Sequence, residues 1–110
     1  MENARDTNDL DIGFDLEITK IERRENAPGA WVCGRLSGHR FEALVFADHA
    51  DSPEWELDDS RISKLWVQRL ADKKVVFNWD RGMDIPAADA TAQAIVDFLS
   101  VGIADLAYPD

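Results

Sequence analysis

The sequence predicts a single α+β domain: an antiparallel sheet of about five strands in meander order, then one C-terminal helix packed on one face. Three observations predict it. Between Phe14 and Asp80 apolar residues recur largely at every second position, the repeat of a strand with one buried face. Turn-forming residues interrupt that repeat at short intervals, as hairpins require. Past Pro86 the apolar spacing lengthens to three and four, the spacing of an amphipathic helix.

Residues 1–12 are polar and read as a flexible lead-in, with the domain expected over 13–108. Phe14, Leu16 and Ile18 alternate with Asp15, Glu17 and Thr19, giving a first strand with one wet face. Glu25-Asn26-Ala27-Pro28-Gly29 supplies a turn, because proline presets φ and glycine admits the left-handed region. Ala30 to Leu36 forms the second strand, and Ser37-Gly38-His39 returns it as a third, His39 to Phe46. Phe41, Ala43 and Val45 oppose Leu44 and Phe46, so both faces of that strand are partly apolar and it belongs in the middle of the sheet.

Residues 47–60 carry Asp48, Asp51, Glu54, Glu56, Asp58 and Asp59 and read as a solvated acidic loop, pinned by Trp55 and Leu57 turned inward. The next strand, Arg61 to Leu70, sets Leu65 and Val67 opposite Ile62, Trp66 and Leu70. Ala71-Asp72-Lys73 then turns the chain into Lys74 to Asp80, with Val75, Phe77 and Trp79 on one face. Arg81-Gly82 bends it toward a helix over 87–106, whose stripe is Ala88, Ala92, Ile95, Leu99, Ile103 and Leu106. Asp84 or Asp89 suits the helix cap, and Pro86 the first turn. Gly102 costs the helix about 0.5–1 kcal/mol relative to alanine unless close packing demands it.

One helix does not cover both faces of five strands. Leu44, Phe46 and Trp66 need a second cover, and a homodimer through that face, or a curled monomeric sheet, is expected. The single cysteine, Cys33, cannot form an internal disulfide and reads as a small core thiol. The polar start Met1-Glu2-Asn3-Ala4-Arg5-Asp6 and the lack of an apolar run near the about 20 residues of a membrane span point to a cytoplasmic chain with no membrane partner.

Twelve basic against 22 acidic residues give a net charge of −10, which repels a phosphate backbone and makes nucleic acid an unlikely partner. The charge is uneven: residues 61–81 hold Arg61, Lys64, Arg69, Lys73, Lys74 and Arg81 against Asp72 and Asp80 alone. A basic hairpin sits in an acidic molecule.

Chemistry-bearing patterns are sparse. His39, His49 and Cys33 lack the paired spacing of a zinc site, and the acidic loop lacks the glycine and glutamate of a calcium loop, so no metal and no cofactor are expected. No serine stands on a glycine-flanked elbow, no phosphate-binding glycine loop is present, and no catalytic set is expected. Two segments stand out, Ser60-Arg61-Ile62-Ser63-Lys64-Leu65 and Asn78-Trp79-Asp80-Arg81-Gly82-Met83-Asp84. If the last two strands pair through the Ala71–Lys73 turn, Arg61, Lys64, Asn78, Asp80, Arg81 and Asp84 gather at one sheet end. Such a mixed-charge cluster beside a helix start can hold an anion or a polar ligand. It can equally be structural, with Asp80 bonding its own turn, Asp84 capping the helix and the arginines neutralising both.

These same motifs, Arg61-Ile62-Ser63-Lys64-Leu65 and Asn78-Trp79-Asp80-Arg81-Gly82-Met83-Asp84, resemble a family of small uncharacterised bacterial and phage-borne proteins, a domain of unknown function. The resemblance runs over roughly residues 30–100 and takes in Gly34, Gly38 and Phe41-Glu42-Ala43-Leu44-Val45-Phe46. Trp79 stands where the family pattern has tyrosine, Met83 where it has tryptophan, and the acidic loop before Ser60 where it is glycine-rich. The resemblance implies a shared fold and no established activity.

Two functional classes remain. The first is a non-enzymatic protein-interaction or accessory domain with an unknown protein partner, motivated by the missing catalytic set and the surplus apolar face. The second is a small-ligand or anion-binding domain, or an enzyme, using Arg61, Lys64, Asp80, Arg81 and Asp84. A nucleic-acid decoy and direct nucleic-acid binding by the basic hairpin with Trp66 and Trp79 rank below both.

Overall fold

Short turns set the topology. The computed structural model describes residues 15–57 and 60–109, so the expected lead-in over 1–12 lies outside the described residues. Ser37 and Gly38 both take positive φ, 52° and 74°, as a two-residue hairpin loop requires, and Leu36 pairs with His39 across it. That turn joins β2 (Ala30–Leu36) to β3 (His39–Val45). Arg24 to Gly29 joins β1 (Glu17–Arg23) to β2, closed by the Arg24 amide on the Gly29 carbonyl at 2.9 Å. β4 (Ile62–Arg69) and β5 (Val75–Asp80) meet at Lys73, whose φ is 63°. The order is β1 to β6 in sequence, all antiparallel.

The sixth strand is new relative to the sequence reading. Arg81-Gly82 is a tight reversal, with φ of 56° and 147°, and it returns the chain as β6 (Met83–Ile85) along β5. The helix, α1, therefore starts later, at Ala90, and runs to Ala107. Asp89 caps it by accepting from the Ala92 amide at 2.8 Å, Asp84 does not, and Pro86 precedes the first turn. No base stands in the last turn of α1, but Arg23 of β1 donates to the Ala107 carbonyl at 2.7 Å and lies over the Tyr108 ring.

Between sheet and helix lies the core. Val32, Leu36, Phe41, Ala43, Val45, Leu65, Val67 and Phe77 pack under Ala92, Ile95, Val96, Leu99 and Ile103. Each buried aliphatic or aromatic side chain contributes about 1.5–3 kcal/mol. Leu106, expected in that stripe, is 44% exposed; Ala104 and Ala107 occupy the packed positions.

Bulges break the two-residue parity in four places, one of them between Asn78 and Trp79 opposite β6. Thr19 is an extra residue between Ile18 and Lys20, so Ile18 and Ile21 share the helix side of β1. Ser63 is extra opposite the Leu44–Val45 step, which turns Ile62 into the core at 0% exposure instead of beside Trp66. A third shift, between Val67 and Gln68, lets Val76 and Phe77 both be buried.

The face away from α1 is less apolar than the alternation suggests. Leu44 is buried within the chain, Arg40 lies over Trp66 at 4.8 Å, and Lys20–Glu22 and Arg40–Glu42 pair across the surface. Cys33 is on this face, half-buried opposite Glu42, and is not a core thiol. Burial, and then Glu42, raise its pKa, which keeps it protonated.

Candidate functional site

The six candidate residues do not form one cluster. Lys64, Asn78, Asp80 and Asp84 fall on the open face, where β4 and β5 pair Lys64 opposite Asp80. Lys64 Nζ is 3.8 Å from Asp80 Oδ1, and Asn78 Nδ2 donates to Asp84 Oδ2 at 2.8 Å. Lys64, Asn78 and Asp80 border a shallow depression of about 240 Å³ between Trp31 and Trp66. Their polar groups are used on one another.

Arg61 and Arg81 go elsewhere. Both take left-handed backbone, φ 67° and 56°, a conformation that costs a non-glycine residue about 1–2 kcal/mol. Arg61 opens the β4 bulge and turns its guanidinium to the Ala47 carbonyl at 3.0 Å and to Asp105 of α1. Only 19% of that side chain is exposed. It locks the loop to the helix end and does not reach Asp80 or Asp84. The Arg81 amide donates to the Ser63 carbonyl at 2.9 Å, but no carboxylate pairs with its guanidinium among the described residues.

Both arginines line a second, larger cavity of about 520 Å³, open to solvent between the 46–57 loop and the ends of β4 and β5. Phe46, Trp55, Ile62 and Tyr108 give it an apolar wall. Trp55, expected to point inward, is 48% exposed there, while Leu57 is buried at 4% as expected. Ser63, the bulged residue, is also in the wall, and its buried hydroxyl has no hydrogen-bond partner among the described residues.

Glu56 builds the loop, and the sequence reading missed it by counting it as a solvated acid. Its side chain is only 5% exposed. One carboxylate oxygen accepts from the Ala50 amide at 2.7 Å, the other from His49 Nδ1 at 2.7 Å. Burial pushes its pKa up, but the Ala50 amide, His49 and the Arg61 amide together outweigh it and hold the carboxyl below its ordinary value. The one signal in the sequence is the setting Trp55-Glu56-Leu57, a carboxylate between two large apolar residues in an otherwise polar loop.

The larger cavity thus has a fixed floor, a mixed-charge rim of Asp48, Asp51 and Arg81, and an apolar side. It can hold a group that sets an anion against Arg81 and an apolar body against Phe46 and Trp55. A family model described as a domain of unknown function (DUF7678) matches residues 30–103. The chain belongs to this family. The match begins at the first residue of β2 and ends inside α1, so it takes in both sides of the sheet end and leaves β1 outside. No match was found among curated proteins or among solved structures.

Proposed function

We propose that the protein is a non-enzymatic binding domain whose cavity beside Arg81 takes a carboxylate- or phosphate-bearing group attached to an apolar body. The observation that carries this reading is Arg81 itself. In a chain whose acids outnumber its bases 22 to 12, a guanidinium with no carboxylate partner among the described residues borders an apolar-walled cavity. Asp48 and Asp51 on the same rim repel a polyanion, which favours one anionic group over a nucleic-acid backbone. Of the side chains that could act as nucleophiles, Ser63 Oγ has no base bonded to it among the described residues, and Cys33 lies on the other face with a raised pKa.

The test is a nuclear magnetic resonance titration of the full chain with phenyl phosphate and N-acetylphenylalanine, with benzyl alcohol as the uncharged control. The expected result is saturable shifts at the Trp55 indole and the Arg81 guanidinium with both anions and none with the alcohol. Arg81→Gln should weaken binding about ten- to a hundredfold, the loss of one charge-assisted hydrogen bond of about 1.5–3 kcal/mol. Equal shifts with the alcohol, or unchanged affinity in Arg81→Gln, would contradict the proposal.

A further inference from the structure

The rim of the cavity beside Arg81 carries charges of both signs that do not meet. Asp48 and Asp51 line it together with Arg81, and all three residues are exposed. Among the described residues, no ion pair joins Arg81 to either acid, and neither carboxylate has a hydrogen-bond partner. Elsewhere on the surface opposite charges do pair, as Arg35–Glu17, Lys20–Glu22 and Arg69–Asp72 show, each at 2.9 Å.

That arrangement constrains the ligand. A purely anionic group gains from Arg81 and loses to Asp48 and Asp51 on the same rim. A ligand that also carries a cation turns the loss into a gain. It does so without a second loss of translational and rotational freedom, so two solvent-screened contacts act together where one alone is weak.

The apolar wall sets the remaining requirement. Phe46 and Tyr108 line the cavity, and Trp55 stands 48% exposed beside them, a ring with surface left to cover. The volume of about 520 Å³ falls within the roughly 300–1,000 Å³ of small-molecule sites, whereas the open-face depression of about 240 Å³ does not. Anion, cation and apolar side chain on one small body are the make-up of an apolar α-amino acid. A peptide end carries only one of the two charges and leaves half of the rim unmatched.

We infer, resting on the reading of this cavity given above, that its ligand is a free apolar α-amino acid. The carboxylate lies on Arg81, the ammonium toward Asp48 and Asp51, and the side chain against Phe46 and Trp55.

The test is a calorimetric titration of the full chain with phenylalanine, N-acetylphenylalanine and phenethylamine, which share a ring and differ in charge. Phenylalanine should bind about tenfold more tightly than either of the others. Asp48→Asn combined with Asp51→Asn should remove that advantage and leave urea unfolding unchanged, because both residues are exposed. Lys64→Gln, at the open-face depression, should keep it. Phenylalanine no tighter than N-acetylphenylalanine would overturn the inference and leave the anion-binding reading standing; binding of neither would overturn both. Phenethylamine binding as tightly as phenylalanine would also overturn it. So would an advantage that survives the double substitution or disappears in Lys64→Gln, since either places the amino acid elsewhere.

Discussion

Glu56 and Arg61 hold the loop that forms the cavity, and they do so from opposite protonation chemistries. Glu56 is a buried carboxylate whose oxygens are taken by the Ala50 amide and His49. Replacing it with alanine leaves that amide unpaired and removes a charge-assisted bond, so Glu56→Ala should cost about 2–3 kcal/mol in urea unfolding. Its lowered pKa fixes the sign of the pH effect. The contribution is fully present above the ordinary glutamate value and is lost as pH falls through the depressed one; Glu56→Ala should flatten that part of the acid-stability curve. Arg61 was visible in the sequence as a marked residue but not its direction, because the bulge at Ser63 reverses which side of the sheet it faces. No repeat in the residues announces a bulge. Arg81 carried a better signal, since its neighbour Gly82 marks the reversal that places it at the cavity rim.

At the scale of elements, the β4–β5 hairpin shows how charge finishes what hydrophobic alternation begins. Arg69 donates to both oxygens of Asp72, at 3.1 and 2.9 Å, and reaches the helix-capping Asp89 at 3.1 Å. The hydrogen bonds from Arg69, and then the Lys74 amide, hold the Asp72 carboxyl down to about 2. A carboxyl resonance titration should find Asp72 ionised through pH 3 and titrating near that value. Because the folded value is the lower one, the turn's stabilisation is present above the ordinary aspartate value and is lost as pH falls from there through about 2. In Arg69→Gln the titration should return toward the ordinary value; an Asp72 midpoint unchanged by that substitution would sink the explanation. Turn residues and the lengthened spacing past Pro86 made the hairpins and the helix legible in advance. The three-residue β6 was not, because Met83-Asp84-Ile85 is too short to show a repeat and its pairing depends on β5.

For the whole molecule, one helix on one face leaves the cavity behind the 46–57 loop open to solvent and Phe98 and Val101 of α1 exposed. The sheet face away from the helix, which the alternation marks as the surplus apolar surface, instead pairs its charges and buries Leu44 within the chain. Layer order was readable from periodicity because it depends on the sum of many apolar positions. The split of the six candidate residues between two sides of the sheet was not, because it depends on the inserted Ser63 for Arg61 and on the Arg81-Gly82 reversal for Arg81. A crystal of the full chain grown with phenyl phosphate is the most direct test. The phosphate should lie on the Arg81 guanidinium with its ring against Phe46 or Trp55; an empty cavity at saturating ligand, or a phosphate bound instead at Lys64 and Asn78, would contradict the account.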